Sequence, residues 1–139
     1  DKDGQKKLPY IIHRTSLGCY ERTLAYMIEH FAGVLPLWLA PEQVRLMPIT
    51  AAQNDYARSI AEKLTNLGMR VTVDDRDVNI GPKIKNGRLE RIPYMLIIGE
   101  KEAESGTVTV RSRKEGELPD MPVSDLINKL VEEVATKAK

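Results

Sequence analysis

Five consecutive apolar residues, Tyr94 to Ile98, framed by Pro93 and Gly99, constrain this chain more than any other stretch. An apolar run of strand length with no polar alternation belongs to a strand covered on both faces, inside a sheet that carries helices above and below. The segments around it have matching periods. Val44 to Ile49 reads as a strand, and Asn54 to Leu67 as a helix with Tyr56, Ile60, Leu64 and Leu67 inward, Asn54 as its cap and Gly68 at its end. Val71 to Asp74 alternates as a strand. Thr107 to Arg113 alternates again, with Val108 and Val110 on one face and Thr107, Thr109, Arg111 and Arg113 on the other. A last helix shows Leu126, Ile127, Leu130, Val131 and Val134 as its core stripe, behind Pro122 and a Ser124 cap. Strands alternating with helices predict a three-layer α/β/α domain on a mixed, mostly parallel five-stranded sheet, with ligands beyond the carboxyl ends of the strands.

The first 40 residues read differently. Leu8 to Arg14 is a short apolar run ending in two polar residues, the pattern of a strand that delivers His13 and Arg14 to a sheet edge. Leu24, Met27, Ile28 and Phe31 recur at helical spacing from Tyr20 to Phe31, with Gly33 as a stop. Pro36 and Pro41 then break the pattern, which places a domain junction between residues 1–40 and 41–139. The apolar face of the Tyr20–Phe31 helix lacks a partner strand set within this chain, so it is expected to be exposed, swapped or self-associated. Trp38, beside the junction, is the expected anchor between the two domains.

With 21 basic and 20 acidic residues the formal charge is +1, so contact with nucleic acid must come from local clustering. Such a cluster exists. Arg76, Lys83, Lys85, Arg88 and Arg91 face only Asp77 and Glu90 between residues 76 and 91, a local excess of +3. Arg111 and Arg113 point to one side of their strand, and Lys114 follows. The single cysteine, Cys19, excludes an internal disulfide, and no apolar stretch reaches the roughly 18 residues that span a membrane. The expectation is a soluble protein of the cytoplasm or an organelle. The chain begins with Asp1 and no signal-peptide pattern, as a piece of a longer protein would.

Two constellations carry a family resemblance. The run His13-Arg14-Thr15-Ser16-Leu17-Gly18-Cys19-Tyr20-Glu21-Arg22 resembles motif 3 of the class II aminoacyl-tRNA synthetases, in its threonyl form. The junction Leu35-Pro36-Leu37-Trp38-Leu39-Ala40-Pro41-Glu42-Gln43-Val44 is similar to that of the same family. The resemblance implies that residues 1–40 are a strand and helix of the class II catalytic domain. It also implies that Arg22 is the catalytic, ATP-binding arginine, with Gly18 and Cys19 beside the nucleotide. A small residue admits a nucleotide to the backbone, and a guanidinium pairs with phosphate or stacks on adenine. His13 falls where the family places one ligand of its active-site zinc. Tetrahedral catalytic zinc takes three protein ligands, so His13 alone does not make that site. Cys19 stands where serine is commoner.

The second constellation combines Asp75-Arg76, Ile80-Gly81 and the strand, acidic turn and strand of Arg91 to Arg111, which look like the anticodon-binding domain of the same family. By that resemblance Glu102 and Arg111 read anticodon bases, and Asp77 and Lys85 occupy two further anticodon-binding positions. Carboxylates accept from guanine N1 and N2 or cytosine N4, and guanidinium donates to guanine O6 and N7 or stacks. Asp77 stands where relatives often carry asparagine. Lys85 replaces an arginine and so keeps charge without the bidentate fork.

The resemblance implies a threonine-tRNA ligase that uses zinc and Mg-ATP and acts as a homodimer. Its partners are threonine tRNA and the remainder of the catalytic domain, with no membrane. This chain alone is expected to be inactive as a ligase, because one strand and one helix do not make a class II site. A rival expectation is a stand-alone accessory module that binds structured nucleic acid or protein without reading an anticodon. A small-ligand α/β domain ranks last, since the chain has no G-x-G-x-x-G or Walker loop.

Overall fold

The structure, a computed structural model, describes residues 2–15 and 18–138. Ser16 and Leu17 of the motif-3-like run lie outside the described residues. The chain separates into two compact units, Asp1–Gly33 and Val34–Lys139.

In the first unit a single helix forms, α1 (Tyr20–His30), which ends in a Phe31-Ala32-Gly33 turn with the Gly33 amide donating to Ile28 O at 2.8 Å. None of its residues is buried, and Tyr20, Leu24, Tyr26 and Ile28 are exposed. The strand expected over Leu8–Arg14 does not form, and Leu8, Tyr10, Ile11 and Ile12 stand almost fully exposed. An apolar run makes a strand only where a neighbour completes its ladder, and the described residues of this unit supply none.

The second unit begins with a 3₁₀ turn (Leu37–Leu39) and continues through β1 (Val44–Pro48), α2 (Asn54–Asn66), β2 (Val71–Val73), α3 (Ile80–Leu89) and β3 (Tyr94–Ile98). It then runs through α4 (Glu100–Ser105), β4 (Thr107–Ser112), β5 (Gly116–Glu117), β6 (Met121–Pro122) and α5 (Val123–Ala135). The sheet is mixed, in the order β2-β1-β3-β4-β5, with β6 pairing β4. Its β2-β1-β3 half is parallel, while β4 runs antiparallel to β3 and to its two short partners. The continuous apolar run explains the three layers. Tyr94, Leu96 and Ile98 pack with Ile60 and Leu64 of α2 and Leu126 and Leu130 of α5, whereas Met95 packs with Met47, Ile92 and the α3 residues Ile80 and Ile84 on the other face. Burying one aliphatic side chain stabilises by about 1.5–3 kcal/mol, so these two clusters are what hold the helices on the sheet.

Local details depart from the sequence reading. A 3₁₀ turn (Ala51–Gln53) leads into α2 and is capped by Thr50 and Gln53, with Gln53 Oε1 accepting from the Thr50 amide at 3.1 Å and from its hydroxyl at 2.6 Å, while Asn54 lies inside α2. Ser124 lies inside α5 and donates to Asp125, with Pro122 at the cap position. Leu67 and Val131, read as inward, are exposed. Trp38 belongs to the second unit, where Lys137 Nζ sits 5.6 Å from its ring centre. Buried Gln43 ties this region together: its amide donates to Leu37 O at 2.9 Å and its oxygen accepts the Arg70 amide at 2.8 Å.

Candidate nucleic-acid interface

The α3 side of β4 gathers the acidic and basic side chains that the sequence singled out. Met95 faces Arg111 across the β3–β4 ladder and packs toward α3. Strand alternation therefore turns Thr107, Thr109 and Arg111 to that side, while Val108 and Val110 enter the main core. Glu102, in the first turn of α4, lies on the same side and is held there by one backbone contact. Its Oε2 accepts the Gly99 amide at 2.8 Å, and its Oε1 lies 3.1 Å from the Thr109 hydroxyl. That hydroxyl also lies 2.6 Å from Asp120 Oδ1. A hydroxyl has one proton to give, and the shorter contact takes it. Oε1 of Glu102 is then an acceptor open to a donor from outside. The Tyr56 phenol sits close by and donates to Thr107 O at 3.3 Å; burial first, and then the charge of Glu102, hold its pKa above the ordinary tyrosine value.

Two residues further along β4, Arg111 pairs with Glu117 across the hairpin. Its Nε is buried without a hydrogen-bond partner among the described residues. Glu102 and Arg111 thus share one strand face. Asp77 is exposed in the β2–α3 loop and Lys85 is exposed on α3, and neither is joined to Glu102 or Arg111 by a contact among the described residues.

The basic cluster read from residues 76 to 91 is rearranged. Lys83 is buried at 2% exposure and its ammonium donates to Pro48 O and to Asp74 O, both at 2.9 Å. It pins α3 to the carboxyl ends of β1 and β2 and takes no part in a surface patch. Arg76 clamps the Asp74 carboxylate with two bonds, of 2.7 and 2.6 Å, which hold the acid below its ordinary pKa. Glu90 turns toward Arg45, which Glu42 also holds, so that the arginine stays charged throughout. Arg88 and Arg91 remain exposed. Thr109 and Asp120 were not singled out from sequence; Asp120 reaches Thr109 only after the β5 turn, and no local pattern announces that contact.

In the first unit, Gly18 takes a left-handed conformation, φ 71°, and Cys19 is the cap residue of α1. Gly18 N donates to the Thr15 hydroxyl at 2.9 Å, and Cys19 Sγ donates to Glu21 at 2.7 Å, which lowers the Glu21 pKa. Arg22 follows in the first turn of α1 with its side chain exposed. This turn could admit a nucleotide, because the space where a Cβ on Gly18 would sit is open and Arg22 can reach a phosphate. His13 is exposed in the extended segment. No group of three or more His, Cys, Asp or Glu among the described residues could hold a metal, so these residues do not by themselves fit zinc. No helix among the described residues is long and apolar enough to cross a membrane.

The mixed sheet with helices on both faces brings Glu102 of α4 and Arg111 of β4 to one side, and residues 43–133 match the family described as the anticodon binding domain. The chain belongs to this family. It is 54% identical over 137 residues to a threonine–tRNA ligase of Clostridium perfringens and 50% identical over 139 residues to one of Clostridium botulinum. Those alignments take in 99% and 100% of this chain but 21% and 22% of the relatives, so the chain spans about a fifth of their length. The crystal structure of the RNA binding domain of threonyl-tRNA synthetase from Cryptosporidium parvum superposes with a TM-score of 0.77 and 35% identity, over 84% of this chain and 29% of that one. The prolyl-tRNA synthetase of Cryptosporidium parvum is similar at a TM-score of 0.66 and 30% identity, over 75% of this chain and 23% of that one.

Proposed function

We propose that this chain reads the anticodon of threonine tRNA as one part of a threonine–tRNA ligase. The observation that carries the reading is the placement of Glu102: its Oε2 is tied to the Gly99 amide and its Oε1 is left as an acceptor on the strand face from which Arg111 projects. Splayed single-stranded bases are recognised by such pairs, the carboxylate accepting from exocyclic or ring N–H and the guanidinium donating or stacking. Asp77 and Lys85, both exposed, would take two further contacts with the same loop. Family membership and the likeness to threonine–tRNA ligases over nearly all of this chain support the choice of tRNA.

In the whole enzyme, Arg22 would bind the phosphates of Mg-ATP beside Gly18 and Cys19. The ATP supplies the energy that activates threonine before its transfer to tRNA. His13 would give one of the zinc ligands, the others coming from the remainder of the catalytic domain. The enzyme would work as a homodimer in the cytoplasm or an organelle.

Titration of the chain with threonine tRNA transcripts, native and with a changed second or third anticodon base, tests the reading at two salt concentrations. An altered base should cost about 1–3 kcal/mol, and Glu102→Ala and Arg111→Ala should remove the difference. Equal binding of all transcripts at every salt would replace it with an accessory module that attracts phosphate without reading bases.

A further inference from the structure

Between the carboxyl end of α3 and the β4–β5 hairpin lies a cavity of about 430 Å³, a volume in the range of small-ligand sites and several times that of a lone phosphate. The apolar residues Ile92 and Met95 line it, and Arg88, Arg91, Arg111 and Arg113 line it too. Its one carboxylate, Glu117, is committed to Arg111. Arg113 donates from Nη1 to Arg91 O and from Nη2 to Leu35 O, both at 2.6 Å, and neither carbonyl neutralises its charge. The Nε atoms of Arg111 and Arg113 are both buried without partners among the described residues. Burial, and next the charge of Arg91, lower the Arg113 pKa from its ordinary value, and the Glu133 carboxylate works against them. Like charges held around an apolar floor are stabilised by an anion that brings its own flat, apolar body.

We propose that this cavity receives one nucleotide of the RNA loop next to the bases read at Glu102 and Arg111, its phosphate on Arg88 and its base on the apolar side of the cavity. The inference rests on the anticodon reading above. Continuity favours RNA over a free anion. Arg111 belongs both to the cavity and to the strand face that carries Thr109 and Glu102. Successive residues on one strand face are roughly 6.7 Å apart, a step comparable to that between nucleotides of an extended single strand. An RNA strand that offers one base to Glu102 therefore brings a neighbour past Arg111 and into the cavity. Stacking on guanidinium planes is tolerant of base identity, so the pocket would add affinity and not sequence preference.

The test uses the full chain and an RNA hairpin carrying the threonine anticodon loop, with each loop phosphate neutralised singly as a methylphosphonate. Wild type should lose roughly three- to tenfold in affinity at one loop phosphate, and Arg88→Gln should bind the unmodified hairpin weaker by the same factor and ignore that one change. The salt slope of Arg88→Gln should fall by about one, with discrimination against altered anticodons retained. Glu117→Gln removes the single carboxylate and should strengthen hairpin binding, a gain that damaged folding would not produce. Unchanged affinity and salt slope in both variants, with anticodon discrimination intact, would overturn the cavity site while leaving the anticodon reading in place. Absence of discrimination in wild type would remove the reading itself and this inference with it. Arg88-dependent binding of a ribonucleoside monophosphate or inorganic phosphate, without any effect on the hairpin, would make the cavity a free-anion site and overturn the proposal.

Discussion

Glu102 and Gly99 occupy a shared space: the Gly99 amide donates to Glu102 Oε2 at 2.8 Å, and a Cβ on Gly99 would meet that same oxygen at 2.8 Å. It would also lie 3.1 Å from Ile49 Cδ1. Since φ at Gly99 is −104°, alanine fits the backbone and the conflict is confined to the side chains. Gly99→Ala should therefore push the Glu102 carboxylate from its place. Anticodon discrimination should drop by about 1–3 kcal/mol in relative Kd, although residue 99 itself reads no base. Retained discrimination would mean that Glu102 is not held by this contact when RNA is bound.

Lys83 is the buried cation that joins α3 to the sheet through Pro48 O and Asp74 O. Lys83→Met keeps most of its volume and leaves two buried carbonyls without this donor, which costs about 1–3 kcal/mol for each group left unsatisfied. Urea unfolding should show a midpoint lowered accordingly with little change in slope. An unchanged midpoint would show that water replaces the ammonium at no cost.

The Asp74–Arg76 clamp sets an acid limb of stability. Arg76 lowers the folded-state pKa of Asp74 below its unfolded value, so the stabilisation is complete above the unfolded pKa of about 3.9 and is lost as pH falls through the lower folded value. Wild type and Asp74→Asn should differ in urea midpoint at pH 6 and converge as the pH drops below about 4. A difference that stays constant across this range would assign the effect of the substitution to packing.

These residues also show which parts of the chain speak plainly as sequence. Tyr94 to Ile98 and the Leu126, Leu130 stripe announce a doubly covered strand and a packed helix, because their burial follows side-chain polarity. The α3 helix is not legible in the sequence, since its two buried residues are Lys83 and Gly87, a charge and a glycine in the places where a pattern would look for leucine. Gly87 has a physical reason: a Cβ there would come within 2.5 Å of Met95 Sδ, so the helix approaches the sheet most closely where it has no side chain. Glu102 and Arg111 could be named through family resemblance and their shared face through strand alternation, but the hydroxyl that sets the free oxygen of Glu102 depends on Asp120, eleven residues from Thr109. Leu8 to Arg14 misled in the opposite direction, with strand character and no neighbour to pair.

That hydroxyl gives a prediction without direct RNA contact by the altered residue. Thr109 Oγ1 has one proton and two acceptors, Asp120 at 2.6 Å and Glu102 at 3.1 Å. With Asp120 present the proton points away from Glu102, whose Oε1 stays open for a base. Asp120→Ala removes the nearer acceptor, so the hydroxyl turns to Glu102 and an incoming base must displace it. Discrimination between native and altered anticodons should weaken by about 0.5–1.5 kcal/mol, the net value of one hydrogen bond. Overall affinity can rise at the same time because a negative charge is lost, and the ratio between transcripts separates the two effects. Thr109→Val deletes the hydroxyl, and in that background Asp120→Ala should leave the ratio unchanged. An equal loss of discrimination with valine or threonine at position 109 would place the effect of Asp120 in its charge and not in the proton it takes from Thr109.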